Sequence, residues 1–253
     1  MTRLRSLLFN ALFLIWSLVM YLIGAPLLVG PAGAIYPMGW VWVRGSLFLL
    51  RAVCGLGYRI EGLENLPDRP VVIAAKHQSM WETLAFCHIF RRPIFVLKQE
   101  LLRIPFYGWY LERMGMIAID REGGAGALRR MIAEARQRLD AGKHIIIFPE
   151  GTRTAPGQRR PYHPGVAALY KQLGVPVLPV ALNSGLFWPA RSFRQRPGRI
   201  TVKLLPPLPP GLDRREFLAR LEQGIEDASR SLLPDRGGSN APAGPVDNSV
   251  GKL

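Results

Sequence analysis

The hydrophobic and polar positions divide the chain into three stretches. From Ser6 to Val43 no residue is charged, and no acid precedes Glu61. Within that stretch "LLFNALFLIWSLVMYLIGAPLLVG", residues 7–30, exceeds the roughly 20 apolar residues that a membrane-crossing helix needs. A second apolar segment, 38–56, carries Arg44 and Arg51, which suits a tilted or interfacial helix whose arginines reach lipid head groups. "GPAGAIYPMG" between the two reads as a turn. From residue 57 onward, short apolar runs at 58–61, 71–75, 94–97, 116–119, 144–148, 177–182 and 200–205 predict strands. From residue 234 the composition turns to Gly, Pro, Ser and Asn, which predicts a disordered tail over 234–253.

Helical patterns fall between the strands. In "GALRRMIAEARQRLDAG" Leu128, Met131, Ile132, Ala135 and Leu139 form one apolar stripe, arginines take the other faces, and Gly142 is a natural stop. "PGVAALYKQLG" is opened by Pro164 and closed by Gly174. "DRREFLARLEQGIEDASRSLL" places Phe217, Leu221, Ile225, Ala228 and Leu232 on one face. Strands alternating with helices predict an α/β fold: a mostly parallel sheet flanked by helices, with an N-terminal membrane-embedded two-helix segment. Three regions follow: membrane-anchoring helices over 1–56, a catalytic domain over 57–233, and the tail. Pro179 inside the 177–182 run predicts an edge strand or a bulge there.

Charge changes the picture next. Lys and Arg outnumber Asp and Glu by 33 to 18, which points to an anionic partner: nucleic acid, an anionic membrane or phosphorylated substrates. The apolar N-terminus favours the membrane, and no RNA-binding aromatic motif or helix-turn-helix signature supports nucleic acid. A cleavable signal peptide fits poorly, because the apolar stretch exceeds the usual about 7–15 residues and no A-x-A site follows. Arg3 and Arg5 favour a cytoplasmic N-terminus. One full span would then put the large domain outside the cytoplasm, whereas a hairpin or a helix pair in one leaflet keeps it inside; Arg44, Arg51 and Arg59 favour the second arrangement. The two cysteines, Cys54 and Cys87, form no CxxC pair and read as buried thiols.

Several strands end in polar residues. The run 71–75 leads into "KHQSMWETLAF", which delivers a Lys-His pair to a strand's carboxyl end, where ligands bind in open α/β sheets. Glu82 falls about one turn inside the helix that follows, with its carboxylate able to fold back on the His77 imidazole and fix its tautomer. On spacing alone, a structural histidine beside a helix-start glutamate facing the macrodipole is the favoured reading. In "IIIFPEGTRT" a buried strand runs into Glu150, Gly151, Thr152 and Arg153: a close-approach glycine, a hydroxyl and a planar fork for phosphate. "GMIAIDR" ends in Asp120-Arg121, and Lys98 follows the run 94–97; each alone is a weak signal.

"KHQSMWE", "GMIAIDR", "FPEGTRT" and "VPVLPV", in this order, resemble the four blocks of the glycerolipid acyltransferases, and "KQELLRIPFYG" between the first two is similar to the same group. Size and the apolar N-terminus make the 1-acylglycerol-3-phosphate acyltransferases the nearest match. The resemblance spans roughly residues 57–208. It implies that His77 is the catalytic base, oriented by Glu82 where the family's first block usually carries Asp. It implies acceptor binding by Arg121, Glu150, Gly151, Thr152 and Arg153, with Lys98 a further substrate-binding candidate. The implied donor is acyl-CoA or acyl-carrier protein, the acceptor lysophosphatidic acid, and the product phosphatidic acid, with another lyso-lipid such as a lyso-ornithine lipid as the alternative acceptor. The implied place is the inner, cytoplasmic membrane, with the catalytic domain facing the cytoplasm. The implied chemistry needs no metal and no cofactor, and His88, His144 and His163 form no HExxH-type set. No G-x-S-x-G elbow is present, and Ser79 is an unlikely nucleophile because direct attack by the acceptor suffices.

Overall fold

The computed structural model describes residues 1–234, so the expected tail lies outside the described residues from position 235. Two long helices come first, α1 (Thr2–Gly24) and α2 (Ile35–Cys54). Seven strands follow: β1 (Leu56–Glu61), β2 (Val72–Ala75), β3 (Ile94–Lys98), β4 (Ile117–Ile119), β5 (Ile145–Ile147), β6 (Val177–Leu182) and β7 (Gly198–Leu204). Helices α3 (Trp81–Ile89), α4 (Tyr107–Arg113), α5 (Gly124–Asp140), α6 (Pro164–Leu173), α7 (Ser184–Phe187) and α8 (Arg214–Ser231) lie between or after them. Each apolar run expected to form a strand does so. The sheet order is β1-β7-β6-β2-β5-β3-β4, and every pairing is parallel except β6 with β7.

Every residue of β2, β5 and β6 is buried, as central strands of a sheet covered on both faces must be. Alternate side chains feed two cores. Val71, Ile73 and Ala75 pack with α1, α2 and α3; Val72 and Ala74 pack with α5, α6 and α8. The stripe expected on α5 is buried at Met131, Ala135 and Leu139, and that of α8 at Phe217, Leu221 and Ile225. Phe217 stacks flat on Tyr170 of α6, with ring centroids 3.8 Å apart.

Pro179 does not mark an edge, because β6 sits between β2 and β7. It faces a bulge in the neighbouring strand. Val177 bridges Leu208 and Val180 pairs with Leu204, so four steps on the β7 side oppose three on β6. The missing proline N–H falls at that irregular stretch, while its carbonyl still accepts from the Leu205 N–H at 2.9 Å.

The two N-terminal helices form an antiparallel hairpin laid against the sheet. Trp16 Nε1 donates to the Trp42 carbonyl and Trp42 Nε1 to Ser17 Oγ, both at 3.0 Å. Gly45 of α2 lies directly against the Trp16 indole, where any β-carbon would overlap the ring. The start of α1 is tied to the loop before β7: Gln195 N–H donates to Ser6 Oγ at 3.0 Å, and Asn10 Nδ2 donates to the Phe193 carbonyl at 2.8 Å. Phe9 packs edge-on against Trp188. The outer side of α1 leaves Leu4, Leu7, Leu14, Ile15, Leu18 and Leu22 exposed. Thr2–Leu28 is long and apolar enough to cross a membrane, with a mean hydropathy of 2.2 over its most apolar 18 residues.

Candidate active site

The carboxyl ends of β2, β3, β4, β5 and β6 gather on one edge of the sheet, which brings the chemistry-bearing blocks together. His77 follows β2, Lys98 ends β3, Arg121 follows β4, residues 149–153 follow β5 and Ser184 follows β6. The backbone at His77 is held on three sides. Lys76 N–H donates to the Val180 carbonyl at 2.9 Å, Thr154 N–H donates to the His77 carbonyl at 2.8 Å, and His77 N–H donates to Glu150 Oε2 at 3.0 Å.

Glu82 sits in the first turn of α3, closer to the helix start than the sequence spacing suggested. Its carboxylate is fully buried and turned back toward the strand end. Oε1 accepts from His77 Nδ1 at 2.9 Å and from the N–H groups of Gln78 and Ser79 at 2.6 Å each; Oε2 accepts from Ser184 Oγ at 2.7 Å. Four donors around one carboxylate make it an acceptor only, so the proton between the pair belongs on His77 Nδ1 and the lone pair on Nε2. The imidazole lies flat on Phe148, with centroids 4.0 Å apart and planes at 15°. Ring plane, tautomer and backbone are therefore all set before any substrate arrives. Ser79 spends its hydroxyl oxygen on the Trp81 N–H at the start of α3.

Nε2 opens onto a cavity of about 1100 Å³. Part of its lining is polar: His77, Lys98, Arg121, Gly151, Thr152 and Arg153. Apolar lining comes from Met20 and Met38 of the hairpin, Met80 and Leu84 around α3, Phe95 of β3 and Leu111 of α4. The cavity runs between hairpin and sheet as far as Tyr36, whose hydroxyl accepts from Lys143 Nζ just before β5. Burial pushes the Cys87 and Tyr107 side chains in its wall up to about 12, with Arg153 opposing the shift at Tyr107, so both are neutral near pH 7. Burial lowers the Arg121 guanidinium, Glu100 opposes that, and the group is still a cation at neutral pH. Gly151 holds φ at +65°, and a β-carbon there would come within 2.7 Å of the His163 ring.

One expected substrate contact is placed elsewhere. Glu150 does not line the cavity. Its carboxylate points behind the strand end, with Oε2 on the His77 N–H and Oε1 2.7 Å from Lys76 Nζ. A carboxylate beside a lysine from the end of the neighbouring strand gains an ion pair that no spacing rule reveals. Ser184, Lys76 and Glu226, which pairs with Lys76 at 2.6 Å, also escaped the sequence reading. Only the strand-ending lysine of "KHQ" hinted at them.

Comparison with known proteins bears on this arrangement. The acyltransferase family profile matches residues 57–183, from β1 to the end of β6. A 1-acyl-sn-glycerol-3-phosphate acyltransferase of Pseudomonas aeruginosa is 38% identical over 226 residues, covering 89% of this chain and 87% of its own. A lyso-ornithine lipid O-acyltransferase of the same organism is 29% identical over 196 residues, covering 70% of this chain and 75% of its own. The crystal structure of the 1-acyl-sn-glycerophosphate acyltransferase PlsC from Thermotoga maritima shares the fold with a TM-score of 0.73, covering 92% of this chain and 98% of that one at 23% identity. The chain belongs to the acyltransferase family. It is an acyl-transferring enzyme, and the mostly parallel sheet with its N-terminal helices is the fold of that crystal structure.

Proposed function

We propose that this enzyme transfers a fatty acyl group from the thioester of acyl-CoA or acyl-carrier protein to the free hydroxyl of 1-acylglycerol 3-phosphate, giving phosphatidic acid. The observation that carries the reading is the His77–Glu82 pair in a cavity whose lining combines Lys98, Arg121 and Arg153 with many apolar side chains. His77 Nε2 takes the proton of the acceptor hydroxyl as that oxygen attacks the thioester carbonyl. The imidazolium is stabilised by Glu82 through Nδ1–H. The tetrahedral intermediate collapses, the C–S bond breaks, and His77 returns the proton to the leaving thiolate. Arg121 and Arg153 would hold the phosphomonoester, Thr152 and the Gly151 backbone would approach it, and Lys98 would lend further positive charge. The apolar part of the lining suits an acyl chain, and the cavity as a whole exceeds the roughly 300–1000 Å³ of a typical small-molecule site. The exposed apolar side of α1 and the cationic surface support work at the cytoplasmic membrane, with the domain facing the cytosolic donor.

A head-group competition assay on the purified enzyme tests the acceptor. Lysophosphatidic acid should be acylated in preference to lyso-ornithine lipid and lysophosphatidylcholine, and Arg153→Ala should raise its KM. Equal use of a phosphate-free acceptor, with Arg153→Ala harmless, would overturn this acceptor and leave the lyso-ornithine lipid reading in its place. Parallel assays with acyl-CoA and acyl-carrier protein separate the two donors.

A further inference from the structure

Neighbouring residues at a strand end send their side chains to opposite faces of the sheet. His77 takes the cavity face, and Lys76 takes the other. Lys76 is only 1% exposed, and its ammonium is met by Glu150 Oε1 at 2.7 Å, Glu226 Oε1 at 2.6 Å and the Gln158 carbonyl at 3.2 Å. Both carboxylate residues are themselves buried, at 3% and 5% exposure. Tyr162 Oη donates to the same Glu226 oxygen at 3.2 Å; burial and the charges of Glu226 and Glu150 push its phenol upward, so it remains a donor. Desolvating these groups costs several kcal/mol per ion, and an apolar filling of equal volume would often be as stable. Stability alone is therefore a weak reason for three charges here. Their connection to the site is direct: the second oxygen of Glu150 holds the His77 N–H.

We propose that Glu226 is a positioning residue for acyl transfer: from α8 it fixes Lys76, Lys76 fixes Glu150, and Glu150 fixes the backbone of His77. This rests on the reading of His77 as the base. Glu226 lies outside residues 57–183, so the reaction centre draws on a helix beyond the segment that the family profile matches. Glu82 sets the imidazole from one face of the sheet, and the chain from Glu226 sets the peptide that carries it from the other.

The test uses the full-length enzyme in lipid nanodiscs, with kcat and KM measured for donor and acceptor and thermal melting followed in parallel. Glu226→Gln should lower kcat by roughly 10- to 100-fold, the range for a misplaced catalytic group, with each KM within about twofold. Lys76→Met should lose at least as much, because it leaves two carboxylates facing each other. The double variant should be no worse than Lys76→Met alone, since the two residues act in series. Tyr162→Phe keeps every charge and covers the case in which the others fail to fold; it should lower kcat by about 2- to 5-fold, the worth of one hydrogen bond. A normally melting Glu226→Gln or Tyr162→Phe with unchanged kcat, a change confined to KM, or additive losses in the double variant would each overturn the proposal. His77→Ala runs beside them. If it retains activity, the base itself is misassigned; if it is inactive while Glu226→Gln matches the parent, only the positioning role falls.

Discussion

On one face of the sheet, α5 turns Met131, Ala135 and Leu139 inward and Arg129, Arg130 and Arg136 outward. On the other face, α1 turns Phe9 inward and leaves Leu7, Leu14, Leu18 and Leu22 on the outside. Both helices bury one side, α5 over β4 and β5 and α1 against α2 and the loop before β7, yet only the first has an outer side made for water. Their interiors differ as well. The α5–α6–α8 face is filled by packed side chains and a buried ion network; the hairpin face holds the long cavity. A sheet enclosed by two equivalent layers would be a closed soluble core. Here one layer is a packed core with an ion network, and the other holds an apolar-lined space under an apolar exterior, which suits the acyl transfer proposed above.

The strongest way to break this comparison is at the residue where the two faces meet. His77→Ala should lower kcat/KM by roughly 10²- to 10⁴-fold, the usual worth of a general base, in a fatty-acyl transfer assay. Glu82→Gln should lose most of the activity as well, because it replaces an acceptor-only group with one that cannot stabilise the imidazolium. Glu82→Asp should retain activity. A fully active His77→Ala would leave the hairpin-side cavity without a reacting group.

The next effect sharpens the structural role of the opposite face. Phe217→Ala removes a fully buried ring stacked on Tyr170 and should cost about 3–5 kcal/mol of stability, read from denaturant unfolding in detergent. An outward residue of α1 should behave in the reverse sense. Leu18→Ser should leave melting unchanged and weaken partition onto anionic vesicles by about 1–3 kcal/mol per side chain, measured by flotation. If Leu18→Ser unfolded the enzyme and left flotation untouched, the outer side of α1 would be a protein-packing surface instead.

The smallest expected effect concerns the far edge of the sheet. Burial lowers the His144 imidazole below its ordinary value of 6.5, and its Nδ1 accepts the Val71 N–H at 3.4 Å. The unfolded chain then takes up the proton first as pH drops, so this residue's contribution is present above pH 6.5 and is lost as pH falls toward the folded-state value. Melting should be lower at pH 5.5 than at 7.5, and His144→Gln should flatten that difference. A steeper fall in the variant would assign the acid sensitivity to other groups.

Much of this organisation was legible along the chain. Apolar runs such as 71–75 and 177–182 marked the strands because residues buried on both faces leave no polar alternation. The charged strand ends pointed to a site because one edge of a parallel sheet collects them. The unread part consists of contacts made across long sequence separations. Ser184 reaches Glu82 from 102 residues away and Glu226 reaches Lys76 from 150, and each looks ordinary in its own segment. Glu226 follows Ile225 on a helix rich in acids and arginines, where one more carboxylate suggests only a solvated face. Glu150 was placed with the acceptor because the resemblance implied that role for its whole block. A side chain's direction at a turn depends on partners that the local sequence does not contain.

The notch at Gly45 settles something a uniformly apolar helix could not settle by itself. Ser6, Asn10 and Phe9 hold the first turns of α1 in one angular phase, but the leucines that cover most of its remaining length give its middle little preference of their own. The indole of Trp16 seated against Gly45, locked by the two tryptophan donors, keys the shaft. The same residues therefore always form the outer strip, and the cavity mouth keeps a constant height and tilt relative to whatever surface that strip rests on. Gly45→Ala would disturb little of the core and would act on the enzyme's bearing instead: a turned α1 would present a different strip, and His77 would meet its substrates from the wrong angle.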